Sequence, residues 1–521
     1  MRTFVDDIAA HAARTPGRIA VTTPDGETTY GELTARIDAL AAVLRARGAG
    51  PETVCAVAVE RGPDAVVGPA AVVRAGAAFL GLDPEQPPAR LAALARSGGA
   101  ELLLTTPALA ARLDLPVPGP PVLLDAAPGA GPADPARPAG PGGPADPGGP
   151  ADPGGPGGPV GERALAYVSH TSGSTGEPSA VLVEHRGLDS YLRFLVRDYG
   201  LGPDTVALQV APLGYDASVR DTFAPLLAGG RLVVLPRSAL LRPEEFGTAV
   251  RAYGVTALLS VTPSFLSFLA GQPDPAGLLA GVRLVVSSGE SLRPFLAAGG
   301  RDLIGGALVN QYGPTECTMT STRYAVPARQ PDVLADVVGT PIDGVVVRLL
   351  DAGLRPVPDG AAGEVYIGGA GVARGYRGLP ARTAERFVPD PLGPPGARLY
   401  RTGDLASHGP QGLEFHGRAD RQVKIRGYRV DPAEVEGALL AHPGVTGAVV
   451  TSDTDGQGRV FLVAHLTGDL ADTTDAALRA HLGGTLPPHL MPRRFARLDR
   501  LPTTRGGKAD RRALSRTGGR P

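Results

Sequence analysis

Tryptophan is absent from the 521 residues, methionine occurs three times and cysteine twice. Two cysteines, Cys55 and Cys317, cannot build a disulfide framework, so a cross-linked secreted mini-protein is excluded and a reducing, cytoplasmic setting is expected. Neither sign of charge predominates: 51 Lys+Arg against 52 Asp+Glu leaves a net charge of −1, which gives no argument for a nucleic-acid or membrane-surface partner. No uncharged apolar run reaches the length of a membrane span. The first residues carry Asp6, Asp7 and His11 and lack the apolar stretch of a signal peptide. Lysine is scarcest of the charged types, with Lys424 and Lys508 alone against 49 arginines. Where Arg replaces Lys nearly everywhere, a retained ammonium either answers a local need for a compact cation or survives by chance.

What is present is enough to fold. Hydrophobic residues make up 43% and charged residues 20% of the chain, and the length suits two to four domains. Gly and Pro are concentrated in residues 128–159, where they occupy 22 of 32 positions and the motif ADPGGP repeats. That stretch has nothing to pack and is expected to be a disordered Gly/Pro-rich insertion. Elsewhere apolar β-branched runs at Val54–Val59, Glu101–Leu104, Leu232–Leu235, Thr256–Val261 and Leu284–Val286 alternate with helical patterns such as Tyr30–Arg47 and Ala65–Ala75. This alternation predicts parallel sheets covered by helices. From about 345 the strand signals Val345–Leu350, Gly363–Ile367 and Gly412–Phe415 are separated by turns, predicting an antiparallel or barrel-like piece. After about 420, Pro432–Leu440 and Asp475–Leu482 read as helices, and Val445–Ser452 and Val460–Leu466 as strands of a small α+β unit.

Five segments carry chemistry. HTSGSTGEPS at 170–179 follows the apolar Leu165–Val168. Its glycines, hydroxyls and backbone N–H groups suit phosphate oxygens, though it lacks the Walker-A spacing and a plain surface loop fits as well. NQYGPTE at 310–316 offers Tyr312 to stack on a base, Thr315 for phosphate and Glu316 for Mg²⁺. YRTGDL at 400–405 places Asp404 after a turn, where it can accept from ribose hydroxyls. GRADRQVKIRGYR at 417–429 sits at the start of the small unit, and LPTTRGGKADR at 501–511 carries Lys508 on a Gly-rich loop.

In this order, and with TYGEL at 29–33, RAGAAFLGLDP at 74–84, YDASV at 215–219, GEVYIGGAGVARGY at 363–376, RTAERF at 382–387 and LPPHLMP at 486–492, the chain resembles the adenylate-forming enzymes, specifically the amino-acid-activating adenylation domains of nonribosomal peptide synthetases. The resemblance covers nearly the whole chain. It implies an α/β fold: a large N-terminal domain of helix-covered sheets plus a small barrel-like part, residues 1–419, then a small mobile α+β C-terminal domain, residues 420–521. It implies ATP and Mg²⁺ as cofactors, formation of an acyl-adenylate with release of pyrophosphate, and transfer to the phosphopantetheine thiol of a separate carrier protein. By resemblance Thr171, Ser172, Gly173, Ser174, Thr175 and Gly176 hold the phosphates. Tyr312 stacks on adenine, Thr315 meets the α-phosphate, and Glu316 helps bind Mg²⁺. Asp404 binds the ribose with help from Arg418, Asp420 is the hinge, and Lys508 is the catalytic lysine. A point cation suits the charge that builds on phosphoryl oxygens better than a planar guanidinium does. Lys424 is implied, more weakly, for the second, thiol-transfer arrangement.

By resemblance Asp216 in YDASV pairs with a substrate α-ammonium, a natural partner for a carboxylate that is costly to bury alone. A turn or helix-cap role is its alternative. By resemblance Asp216, Ala217, Arg220, Ser260, Val286, Ser288, Gln311, Met319 and Thr320 line the substrate pocket. That set is polar and favours a polar or acidic side chain, unless Arg220 turns away and pairs with Asp221. One departure stands out: where the family's phosphate loop continues with Pro-Lys-Gly, this chain has Pro178-Ser179-Ala180, with no lysine nearby. No carrier motif follows Lys508, which gives the expectation of a stand-alone enzyme loading a carrier in trans. The rival expectations are an acyl- or aryl-CoA ligase of the same superfamily, or a catalytically silent member of it.

Overall fold

The computed structural model describes residues 1–124, 160–173, 178–329, 335–456, 459–503 and 509–517. The insertion expected at 128–159, the phosphate-loop residues Ser174, Thr175 and Gly176, and Lys508 lie outside the described residues. Val54–Ala58 is buried at every position and pairs in parallel with Ala78–Leu82 on one side and Leu102–Thr105 on the other. A strand covered on both faces has no reason to alternate polar with apolar, hence its continuous apolar run. This first sheet runs Val122–Leu123, Leu102–Thr105, Val54–Ala58, Ala78–Leu82, Leu165–Thr171 and Ser179–Glu184. Its last two strands are antiparallel, with Thr171 opposite Ser179.

A second, longer sheet has Gly26–Thr29 at its edge, antiparallel to Ile19–Thr23, followed by the parallel set Ile19–Thr23, Arg231–Val233, Val206–Leu208, Ala257–Val261, Leu284–Ser288 and Ala307–Tyr312. It continues antiparallel through Thr322–Val326, Val337–Pro341, Gly412–Arg418, Arg398–Gly409, Gly363–Gly369 and Val345–Leu350. The antiparallel part expected from 345 therefore starts earlier, at Thr322. The cause is local: Thr318 (φ 57°) and Met319 (φ 69°) both take the left-handed conformation and turn the chain back, so that Thr322 pairs with Tyr312. Helices cover the sheets. Tyr30–Ala46 opens on a capping box between Thr29 and Glu32, and Ala217–Leu227 is buried along most of its length.

Beyond residue 420 the elements form their own buried cluster, which includes Ile425, Val430, Val435, Leu439, Leu462, Leu478 and Phe495. It is built on Pro432–Leu440, Asp475–Gly483 and the sheet Val445–Thr454, Val460–Gly468, Arg494–Arg497. Ahead of that sheet stands a hairpin of Val423–Ile425 and Tyr428–Val430. Its two-residue turn, Arg426 (φ 50°) and Gly427 (φ 83°), has the double positive φ that matches the twist of paired strands. Among the described residues no helix is long and apolar enough to cross a membrane.

Candidate functional site

Three adjacent parallel strands end on one side of the second sheet, and their last residues carry the polar side chains expected of a substrate pocket. Ser260 is near the end of Ala257–Val261. Ser288 closes Leu284–Ser288 and is paired in register with Gln311 of Ala307–Tyr312. Strand ends of a parallel sheet are where ligands meet such folds, since the loops there are free to vary. The helix Ala217–Leu227 packs alongside, and its Arg220 reaches all three strands. Arg220 Nε donates to Ser260 Oγ at 2.8 Å, one terminal nitrogen donates to Tyr191 Oη at 3.0 Å and to Gln311 Oε1, and the other donates to Ser288 Oγ at 3.2 Å. Thr320 Oγ1 lies 3.0 Å from both Tyr191 Oη and Gln311 Oε1. The alternative in which Arg220 turns to Asp221 does not occur. Asp221 accepts instead from the Val210 and Ala211 amides at 2.9 Å each. Ala217 contributes its carbonyl, which accepts from Ser260 Oγ at 3.0 Å, while Val286 and Met319 are buried in the large core.

Asp216 stands at the N-cap of the same helix, and its side chain makes no capping hydrogen bond. Its Oδ2 is buried without a hydrogen-bond partner among the described residues. Burial pushes this carboxyl above the ordinary carboxylate range, opposed by the Thr315 hydroxyl, the Arg220 guanidinium and the Ala217 amide.

Tyr312, the next residue after Gln311, points to the other side of the strand. Its hydroxyl donates to Asp404 Oδ2 at 2.6 Å, and Arg418 donates to Asp404 Oδ1. Arg418 is also bidentate to Asp420 at 2.7 Å on both oxygens. Asp420 is thus a paired, partly buried carboxylate in the bend joining Gly412–Arg418 to the hairpin. Burial raises its carboxyl, but the Arg418 contacts win and hold it below the ordinary range. Asp404 keeps acceptor capacity, because a carboxylate offers about four lone-pair directions and two are used.

Glu316 is fully buried. Tyr376 Oη donates to Glu316 Oε1 at 2.7 Å, and Arg429, from the hairpin beyond 420, lies 3.1 Å from Oε2 and 3.3 Å from Oε1. Burial raises the Glu316 carboxyl, and Arg429 with Tyr376 more than offsets this, leaving it below the ordinary range. A buried hard-oxygen carboxylate fits Mg²⁺, and the guanidinium now on it must withdraw before an ion can take its place. The same hairpin holds the phosphate-loop edge. Ser172 Oγ donates to the Arg429 carbonyl at 2.7 Å and accepts from the Asp431 amide at 3.0 Å. Gly427 N donates to Glu290 Oε1 at 2.8 Å, and Arg90 pairs with Glu434. Tyr428 stacks on His489 with centroids 3.8 Å apart, and Tyr215 lies against Tyr428 at 4.7 Å. Lys424 Nζ stands 5.5 Å from the Tyr312 ring centroid and 5.4 Å from that of Phe415. Among the described residues Lys424 is therefore a cation beside the Tyr312 ring.

Where the phosphate loop lacks its lysine, an arginine stands. Arg382 donates to Ser179 Oγ at 2.6 Å and lies over the Tyr376 ring, 4.9 Å from its centroid. It makes no ion pair among the described residues. Thr171, Ser172 and Gly173 border this edge. Tyr191, Tyr376, Tyr400, Arg429 and Arg382 join the site without having been expected there. Four of them lie inside or beside motifs that carried the resemblance. Tyr191, in Leu188–Phe194, has no local signal except a tyrosine on an otherwise apolar helix face.

Known proteins resemble this chain along nearly its whole length. A profile of the AMP-binding enzyme family matches residues 8–377, and one of the AMP-binding enzyme C-terminal domain matches residues 434–508. Phosphinothricin tripeptide synthetase PhsC of Streptomyces viridochromogenes is 41% identical over 98% of this chain and 45% of its own length. A dimodular nonribosomal peptide synthase of Bacillus subtilis is 34% identical over 98% of this chain and 20% of its own. The chain therefore spans less than half the length of these curated relatives. Among solved structures, NpsA-ThdA, an artificially fused adenylation–PCP di-domain NRPS from Klebsiella oxytoca, superposes with a TM-score of 0.79 at 26% identity, covering 96% of this chain and 94% of that one.

Proposed function

The chain belongs to the AMP-binding enzyme family, and from that premise we propose that it activates an amino acid as its aminoacyl-adenylate and passes the aminoacyl group to the phosphopantetheine thiol of a carrier protein, as part of nonribosomal peptide synthesis. The observation that carries the reading is Asp216: a buried carboxylate that caps no helix and leaves one oxygen unpaired among the described residues, beside the segment that holds Tyr312, Thr315 and Glu316. An α-ammonium satisfies it; a plain acyl or aryl acid does not.

The residues divide the work. Asp216 fixes the amine end of the substrate, so the carboxylate is presented in one orientation. The pocket of Ala217, Arg220, Ser260, Val286, Ser288, Gln311, Met319 and Thr320 receives a polar or acidic side chain. Tyr312 stacks on the adenine, and Asp404, steadied by Arg418, accepts from the ribose hydroxyls. Thr171, Ser172 and Gly173, with Ser174, Thr175 and Gly176, receive the phosphates, and Thr315 the α-phosphate. The substrate carboxylate attacks the α-phosphorus and pyrophosphate leaves. Lys508 stabilises the charge that grows on the phosphoryl oxygens. Glu316 would hold Mg²⁺, which when bound neutralises phosphate charge. Arg382 returns a cation to the phosphate edge that Ser179 does not supply.

The small unit, taken as residues 420–521 against 1–419, swings about Asp420 between the two half-reactions. Arg429 on Glu316 and Lys424 over Tyr312 support the view that this arrangement is the one used for thiol transfer, because the hairpin fills the ground the first step needs. Amino-acid-dependent ATP–pyrophosphate exchange tests the proposal, with Lys508→Ala expected to abolish it. Transfer to free coenzyme A in preference to a phosphopantetheinylated carrier would replace the acceptor with that of an acyl-CoA ligase. Absence of exchange with every amino acid would remove the activity.

A further inference from the structure

Asp216 and Arg220 stand one helical turn apart on the same helix. On a helix surface an acid and an arginine at that spacing are neighbours, with Cβ atoms about 5–6 Å apart, and commonly pair. Here they do not. Arg220 is 1% exposed, the largest of the fully buried side chains, and each of its hydrogen bonds goes to a neutral group: Ser260, Tyr191, Gln311 and Ser288. It forms no ion pair among the described residues; the adjacent Asp221, whose Oδ2 accepts from two backbone amides, supports the guanidinium charge through space without contacting it. One N–H of the nitrogen that meets Ser288 has no partner among them either.

Burying a full charge among neutral acceptors is expensive, and it is retained where a counter-charge arrives to meet it. Four side chains drawn from one helix and three strands hold the guanidinium rigidly in this state. They keep it from collapsing onto the carboxylate one turn away, so the helix presents a negative group at Asp216 and a positive group at Arg220 as separate points. An α-amino acid whose side chain ends in an anion presents the complementary pair, positive at the α-nitrogen and negative at the side-chain terminus, over the reach of an aspartate- or glutamate-like side chain.

Resting on the adenylation reading above, we propose that the substrate is an amino acid with an anionic side chain, and that Arg220 is the residue that specifies it. The anion is a carboxylate or an isosteric phosphonate or sulfonate, since a guanidinium fork accepts any of these oxyanions. The neutral amides are rejected because they leave the buried charge unmet.

The test uses the full chain in ATP–pyrophosphate exchange with L-aspartate, L-glutamate, L-asparagine, L-glutamine, L-cysteate and 2-amino-4-phosphonobutanoate, alongside thermal-shift titration with the same compounds. Expected is a preference of about 10²-fold or more in kcat/KM for an anionic compound over its neutral isostere, the favoured member reporting which oxyanion and length fit. Arg220→Gln should erase that preference or invert it toward the amide, while Arg220→Lys retains part of it. Circular dichroism and thermal melting of the Arg220 variants, unchanged from the parent chain, guard against misfolding as the cause. Exchange supported equally or better by neutral amino acids, or a preference that survives Arg220→Gln, overturns the proposal and leaves the adenylation reading standing. Absence of exchange with these compounds and with the remaining proteinogenic amino acids overturns the adenylation reading. In that case a thermal shift confined to anionic compounds and lost in Arg220→Gln still supports the anion site, and no such shift removes it too.

Discussion

Gln311 and Tyr312 are neighbours on one strand and belong to two regions held together by different means. Gln311 faces a pocket whose partners, Tyr191, Tyr199, Arg220 and Thr320, all come from the large unit. Tyr312 faces the small unit, where Lys424 sits over its ring and where neighbouring Glu316 and Ser172 take their contacts from Arg429 and Asp431. The Gln311 cluster takes all these contacts from the large unit. The Tyr312 side takes several of its own from the small unit. On the proposed reading, substrate choice is set by the large unit, while the chemistry that follows depends on where the small unit is seated.

Variants can break that contrast. Asp216→Asn removes the charge expected to hold the α-ammonium, and amino-acid activation should fall roughly 10³-fold in exchange assays, with folding unchanged by circular dichroism. Arg429→Met should leave exchange near normal and slow thiol transfer, since losing one partner of a buried ion pair costs the seated arrangement about 3–5 kcal/mol. Equal loss of both half-reactions would mean the two regions are not separable in this way. Acid should act on the seat as well. Burial holds the His489 imidazole down at about 3, with Arg90 and Arg237 adding to the effect, so it stays neutral while the unfolded state takes up a proton below about 6.5. The stability from a neutral, stacked His489 is therefore full above the unfolded value and declines as pH falls. Between pH 7 and 5 the loss should be about 2 kcal/mol, read as faster hydrogen exchange around Tyr428 and absent in His489→Phe. The smallest effect is reserved for Arg382→Leu: about a tenfold rise in the KM for pyrophosphate, with the amino-acid KM unmoved.

Much of the molecule is legible in its sequence, and the limits are physical. Runs such as Val54–Ala58 announce themselves because a doubly covered strand cannot hide its apolar character. Asp404 and Arg418 are expected together and are hydrogen-bonded. Asp216 at a helix start reads equally as a cap in the sequence, and the lack of a capping hydrogen bond is visible only in the structure. Tyr191 escapes notice because a hydroxyl on an amphipathic helix looks the same whether it meets water or a guanidinium 29 residues along the chain. Arg382 escapes it for a different reason: no lysine stands beside Ser179, and the cation that does reach that serine comes from 203 residues away. The antiparallel turn-back at Thr322 depends on left-handed Thr318 and Met319, residue types that seldom advertise that conformation.

Gly289 and Gly427 approach each other with no side chain between them. A Cβ on Gly289 would lie 3.1 Å from the Gly427 Cα, and one on Gly427 would collide with the Thr262 methyl. Two bare stretches of main chain thus act as a depth stop for the hairpin. A single added methyl at 427 would work as a wedge, propping the hairpin out without altering one reacting group, and would give the large unit's pocket to the experimenter with its neighbour held ajar.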